Sequence, residues 1–313
     1  YMWLALQIGL VLSVSGVGVF AVRGTRRRRE RDVARTELVQ ERRRHITTQP
    51  HDIDHWTIDD FVAASSAAKG TMEQIRNQQQ QGDRVLITGE TGTGKELVAR
   101  AIHAGSSRRG GAFVPVRCAG LPRDVESLAE RTQALSLLFG HKKGAVPGAD
   151  TDQDGLVAEA HGGSLFFDEV GLLPLPLQAH LLRVLTQREV RPIGGSEGEP
   201  LDLRVLSATS EDLDLQVQMG AFHRGLFDYL AMQQIAVPAL RERPEDIAPL
   251  AQEIADQAAA RQGQHPKALS QEVLQLLQNY GFPGNVRQLR RLLEQALTAA
   301  ASKPLAAGDL PLD

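Results

Sequence analysis

Gly89-Glu90-Thr91-Gly92-Thr93-Gly94-Lys95-Glu96 constrains this chain more than any other stretch. The apolar run Arg84-Val85-Leu86-Ile87-Thr88 comes before it and the helical pattern Leu97-Val98-Ala99-Arg100-Ala101-Ile102-His103 after it. Strand, glycine-rich turn and helix form the setting of a phosphate-binding loop. The glycines let successive N–H groups turn inward, the new helix adds the positive end of its dipole, and the lysine supplies a point charge for β- and γ-phosphates. A glycine-rich turn alone would be a structural turn; the full spacing ending in Gly94-Lys95 selects a nucleoside triphosphate, with ATP the expected ligand. Glu96 stands where Ser or Thr usually ligates Mg²⁺.

About 75 residues on, Gly162-Gly163-Ser164-Leu165-Phe166-Phe167-Asp168-Glu169 reads as an apolar strand ending in two carboxylates. Alone this is an acidic strand end; paired with a phosphate loop, Asp168 is the residue to hold Mg²⁺ and Glu169 the one to polarise an attacking water. Short apolar runs at Val85–Thr88, Phe113–Val116, Ser164–Phe167, Leu203–Ala208 and Gln234–Val237 alternate with helix-length segments. That alternation predicts an α/β fold, a parallel sheet with helices on both faces. A helical pattern from about Ile58 to Gln81 precedes the sheet, its Gln78–Gln81 end expected in solvent. From about Ala239 the pattern is wholly helical, with Val273, Leu276, Leu277 and Leu289, Leu292, Leu293 at i, i+3, i+4 spacing. The expected division is 58–238 for the nucleotide-binding part and 239–313 for a small all-α lid.

The run from Asp168-Glu169-Val170-Gly171-Leu172-Leu173-Pro174 to Leu185 resembles the AAA+ domain of sigma-54-dependent transcription activators (bacterial enhancer-binding proteins). So do Arg188-Glu189-Val190-Arg191-Pro192-Ile193-Gly194-Gly195, Leu240-Arg241-Glu242-Arg243-Pro244-Glu245-Asp246-Ile247 and Phe282-Pro283-Gly284-Asn285-Val286-Arg287-Gln288-Leu289. The resemblance covers roughly residues 58–312, and that family also uses Glu after the loop lysine. It implies a ring-forming ATPase, commonly hexameric, with ATP between sheet domain and lid at a subunit boundary. Arg287 would be the lid arginine that touches the phosphates, and Thr209 and Ser210 would occupy the sensor position. Hydrolysis in such rings drives a surface loop that remodels the sigma-54 polymerase.

The chain departs from the family pattern in several places, extra residues around Arg123–Gln133 among them. The polymerase-contacting loop, G-A-F-T-G-A in the family, reads Gly144-Ala145-Val146-Pro147-Gly148-Ala149. Val146 replaces the aromatic tip, and Pro147 fixes φ and removes a donor, so engagement of sigma-54 polymerase is expected to be weak or absent. His223 and Tyr229 occupy the two positions that carry arginines into the neighbouring subunit's site; Arg224 is one residue off and about 100° round a helix. Arg117 stands where the family has an Asn coupling nucleotide state to the catalytic Glu, and an ion pair between Arg117 and Glu169 is expected to depress that carboxylate's basicity.

Residues 1–22 contain no charged side chain, and Arg23, Arg26, Arg27, Arg28, Arg29 and Arg31 follow. At about 1.5 Å per residue such a stretch crosses a hydrocarbon core of about 30 Å, and basic residues after it place the C-terminal side in the cytoplasm. A single-pass bacterial inner-membrane anchor is expected, with 23–57 as an Arg-rich stalk and linker. Residues 1–45 hold ten arginines and four acids, leaving 25 basic and 34 acidic residues in the remainder, a poor surface for unaided nucleic-acid binding. No helix-turn-helix follows the lid in this sequence, so no direct DNA-binding domain is expected. The single cysteine, Cys118, excludes an internal disulfide and is expected as a buried apolar group.

The expectation is a membrane-tethered ATP-binding AAA+ regulator of the sigma-54 type with slow hydrolysis, acting in a homo-oligomeric or mixed ring. The alternatives are a competent ATPase motor with a different membrane-proximal client, or a nucleotide-insensitive scaffold.

Overall fold

A computed structural model describes residues 58, 61–81, 84–122, 127–261, 268–300 and 305–311. The expected span at 1–22 and the stalk to residue 57 lie outside the described residues, among which no helix is long and apolar enough to cross a membrane. In chain order the strands are β1 (Arg84–Thr88), β2 (Phe113–Arg117), β3 (Gly140–His141), β4 (Gln153–Asp154), β5 (Ser164–Asp168), β6 (Glu189–Val190), β7 (Glu199–Pro200), β8 (Arg204–Thr209) and β9 (Gln234–Ala236). The helices are α1 (Ser66–Gln80), α2 (Lys95–Ala104), α3 (Leu128–Phe139), α4 (Leu156–Glu159), α5 (Leu175–Gln187), α6 (Leu213–Gln218), α7 (Arg224–Leu230), α8 (Ile247–Arg261), α9 (Gln271–Gln278) and α10 (Asn285–Ala300).

Five strands form one parallel sheet in the order β2-β5-β8-β1-β9. Successive side chains of a strand point to opposite faces, and both faces are buried here. Leu86, Val114, Val116, Leu165, Phe167 and Val205 meet Leu137 of α3, Leu177 and Leu181 of α5 and Leu226 of α7. Val85, Ile87, Phe166, Leu206, Ala208 and Ile235 meet Ile75 of α1 and Val98 and Ile102 of α2. Two-sided burial is why these strands read as continuous apolar runs. The pairs β3–β4 and β6–β7 are antiparallel, and His141 bridges to Ile193, so the loop after β3 rests on the segment after β6.

The lid has its own apolar cluster, including Ile247, Ile254, Val273, Leu277, Leu289 and Leu293. One expected apolar triplet buries completely, whereas Leu276 stands 38% exposed beside buried Val273 and Leu277.

Two local expectations are corrected. Among the described residues the first α-helix starts at Ser66 and not near Ile58. The Ser65 hydroxyl accepts from Ala68 N (3.1 Å) as an N-cap, while the Ala64 and Ser65 amides donate to Asp246 of the lid (both 2.7 Å), so the preceding backbone is committed to a tertiary contact. The glutamine end of α1 is not all in solvent, because Gln78 is buried and Gln79 Nε2 donates to Ala101 O (2.9 Å).

Phe166 is fully buried in the middle of β5 and stacks on Phe113 at 5.6 Å between centroids. Phe166→Ala is expected to cost about 3–5 kcal/mol, read as a lower urea midpoint at unchanged m-value.

Candidate nucleotide-binding site

Because the sheet is parallel, the carboxyl ends of its strands share one edge, where ligands of such folds bind. Register fixes what meets there: Thr88 lies opposite Thr209 and Arg117 opposite Asp168. The loop 89–94 leaves β1 at this edge and opens α2. Gly94 takes φ 103° at the residue before the helix, a conformation that favours glycine. Gly92 takes φ 84° and lies so close to Gly284 and Arg287 of the lid that a Cβ would collide with the Gly284 carbonyl.

Lys95, 5% exposed, donates to Gly89 O (2.8 Å) and Glu90 O (3.2 Å) and pairs with Glu169 Oε1 (3.1 Å). Glu169 has left-handed backbone, φ 55°, and its other oxygen, Oε2, accepts from both the amide and the hydroxyl of Ser210 (2.8 Å each). Lys95, Glu169 and Ser210 are thus one connected set drawn from three strand ends. Thr209 is buried, and its hydroxyl serves the local turn by accepting from Glu211 N (3.0 Å). Of the two sensor-position residues, Ser210 reaches the carboxylate.

Burial raises the Asp168 carboxyl above the ordinary range, and the negative charges of Glu96 and Glu169 add to it, against Lys95 and Arg117. Glu96, at the usual Mg²⁺ hydroxyl position, pairs with Arg100 (3.1 Å). Acidic groups crowded beside Asp168 suit a divalent cation. Among the described residues no group of three or more His, Cys, Asp or Glu could hold a metal ion by itself. The expected ion pair between Arg117 and Glu169 is not formed. Arg117 sits across from Asp168 on the neighbouring strand and acts on that group's charge, while Glu169 is taken by Lys95 and Ser210.

The lid closes on the phosphate loop through residues that the sequence motifs contained without revealing a role. Arg241 grips both oxygens of Glu90 (2.6 and 2.8 Å). Asn285 donates to Glu90 Oε2 and Thr91 O (3.1 Å each), and Arg243 Nη2 donates to Thr93 O (3.1 Å). The hydrogen bonds from Arg241 and Asn285 hold the Glu90 carboxyl down at about 2, so it stays ionised at any ordinary pH. Arg287 is exposed and is brought beside the loop by its backbone, its N–H donating to Gly92 O (3.3 Å).

The altered positions lie elsewhere. His223 caps its own helix, Nδ1 accepting from Leu226 N (3.3 Å), and its amide donates to Gln178 (2.6 Å). Tyr229 is half-buried, with its hydroxyl on Leu185 O (3.3 Å) and the Arg84 guanidinium over its ring (4.2 Å). Arg224 is exposed and pairs with Asp228 (3.0 Å). Val146 and Pro147 top a tight turn closed by Gly144 N to Ala149 O (2.8 Å) and Ala149 N to Val146 O (3.0 Å). Cys118 is buried and its thiol is pushed up by that burial.

A carboxyl whose proton affinity rises on folding favours the protonated native state. Its ionised form therefore costs stability above the folded value, and the cost disappears as pH falls through it. Asp168→Asn is expected to raise the melting temperature at pH 8, with the gain shrinking towards pH 4; thermal melts across that range check it.

With this geometry in view, the similarities to known proteins are specific. Residues 61–236 match the sigma-54 interaction domain and residues 241–313 the AAA+ ATPase lid domain. The transcriptional regulatory protein GlrR of Escherichia coli is 42% identical over 242 residues, 77% of this chain and 53% of GlrR. The response regulator protein PilR of Pseudomonas aeruginosa is 42% identical over 73% of this chain and 49% of PilR; the chain spans about half the length of the curated relatives it matches. The crystal structure of NtrX from Brucella abortus in complex with ADP superimposes with a TM-score of 0.71 at 33% identity, covering 81% of this chain and 55% of NtrX. NtrX in complex with ATP gives 0.70 at 33% identity, covering 80% and 56%. The phosphate loop, the paired carboxylates, the lid contacts and these matches agree, and the chain belongs to the sigma-54 interaction domain family of AAA+ proteins.

Proposed function

We propose that this chain is an ATP-binding AAA+ regulator of transcription, held at a bacterial inner membrane by residues 1–22 with its AAA+ part in the cytoplasm. In this reading its own hydrolysis is slow and its direct remodelling of sigma-54 polymerase is weak or absent. One contrast carries the reading. Lys95, Glu169 and Ser210 form a connected set at the strand ends, whereas the helix expected to offer two arginines to a neighbour carries a His that caps its own first turn and a Tyr turned inward. The loop 89–94 and Lys95 would hold the phosphates, with Arg287 reaching them from the lid. Asp168 would hold Mg²⁺ together with nucleotide oxygens, the cation serving to neutralise phosphate charge. Glu169 would orient water. Separate apolar clusters of sheet and lid support a division near 238/239.

Such a subunit accepts an arginine from a neighbour but offers none at the family's positions, so it would work in a mixed ring beside an activator that supplies them. The short turn bearing Val146 and Pro147 supports weak polymerase contact, since proline adds neither a donor nor a hydroxyl. A second reading, a competent motor with another membrane-proximal client, is favoured by Arg224, which stands exposed in the first turn of α7. A nucleotide-insensitive scaffold is disfavoured by the intact set of contacts around Lys95.

Phosphate release from the purified chain, followed across protein concentrations, tests this. Turnover no faster than that of Glu169→Gln is expected, rising when an arginine-bearing activator is added. His223→Arg alone is expected to give concentration-dependent turnover higher by on the order of 10³, at about 1 kcal/mol of stability for the lost cap. Steep concentration-dependent turnover of the unchanged chain, abolished by Glu169→Gln, would establish the motor instead, and failure to bind ATP would leave the scaffold.

A further inference from the structure

Asn285 is fully buried at the start of α10, in a left-handed backbone conformation with φ 52°. Both polar atoms of its side chain are engaged. Oδ1 accepts from Leu240 N (2.7 Å), inside the lid. Both hydrogens of Nδ2 leave the lid, one to Glu90 Oε2 and one to the Thr91 carbonyl (3.1 Å each). Arg241, next to Leu240, takes the remaining reach of the same carboxylate. Glu90 and Thr91 are two of the residues whose backbone shapes the phosphate loop, and the Glu90 carbonyl also receives Lys95 and the Thr93 hydroxyl (3.2 and 2.9 Å). A displacement of the Glu90 side chain is therefore felt at the Lys95 ammonium through one peptide unit.

We infer that Asn285, supported by Arg241, is a positioning residue for the phosphate grip, so that the loop 89–94 takes its phosphate-binding shape only while the lid is docked on it. The inference rests on the ATP-binding reading above and assigns the lid a task separate from any contact of Arg287 with phosphate. A loop of glycines has little conformational preference of its own, and its shape must be imposed. Lys95 imposes it from within and the Asn285 amide from above. Nucleotide affinity and lid docking are then one equilibrium, and whatever moves the lid changes the hold on nucleotide.

Asp in place of Asn separates this role from a merely structural one. Both residues tolerate left-handed backbone, and an aspartate keeps the acceptor for Leu240 N. It lacks only the donors, and it sets a second carboxylate against Glu90. On the full chain, Asn285→Asp is compared with Asn285→Ala and with Asn285→Asp combined with Glu90→Gln, which reverses donor and acceptor. Two readouts are used: amide hydrogen exchange at residues 89–94 without nucleotide, and titration with fluorescent ATP and ADP analogues.

Asn285→Asp is expected to speed exchange at 89–94 and to weaken both nucleotides about ten-fold or more, the scale of two lost hydrogen bonds. Asn285→Ala is expected to fall between it and the unchanged chain, and the Glu90→Gln combination to recover part of the loss. Three results would each overturn the inference: Asp tolerated while Ala is not, loss of protection throughout α8–α10 with the change, or no recovery by Glu90→Gln. Should the unchanged chain bind neither analogue, the ATP-binding reading falls by itself and hydrogen exchange alone decides whether Asn285 positions the loop.

Discussion

One buried ammonium organises the site. Lys95 is almost without solvent, and a cation in such a place is tolerated only when it is paired and hydrogen-bonded. Here the loop carbonyls of Gly89 and Glu90 and the Glu169 carboxylate provide for it. That requirement ties the end of β1 to the end of β5, and through Ser210 to the end of β8 that lies between them. The sheet order therefore does more than build a core: placing β8 between β5 and β1 lets one serine hold the carboxylate that faces the lysine.

The lid is joined to this centre by charge and by buried polar contacts. Asp246 is fully buried, accepts two backbone amides and the Ser65 hydroxyl from the segment before α1, and lies on the same turn as Arg243, which reaches the Thr93 carbonyl. Breaking such a group's hydrogen bonds costs more than a typical surface contact contributes, so the segment at 61–65, the lid and the phosphate loop are held in one arrangement.

The altered positions are settled into their own surroundings. His223 serves as a helix cap, and Tyr229 fills a half-buried place under Arg84. Both have local tasks that an arginine in the same place would not perform. Arg117, another of the altered positions, modifies the electrostatics of Asp168 from the adjacent strand.

Much of this was legible in sequence because it is local or periodic. Alternating apolar runs predict a parallel sheet because its central strands are buried on both faces, and the phosphate loop shows in its spacing of glycines and lysine between strand and helix. What escaped depended on contacts between residues far apart in the chain. Arg241 and Asn285 stood inside recognisable motifs, yet nothing in their neighbours says that their partner is Glu90, 151 and 195 positions away. The late start of α1 was hidden for the same reason, its upstream amides being claimed by Asp246 across 181 and 182 positions. Arg117 looked able to pair with Glu169; the left-handed backbone of Glu169 sends that carboxylate to Ser210 instead. Fold class, phosphate loop and acidic pair are readable from the chain alone, because short-range geometry and burial periodicity dictate them. Which polar group holds which emerges only in the folded molecule, because hydrogen-bond partners are chosen by proximity in space, and the chain's order does not encode that proximity directly.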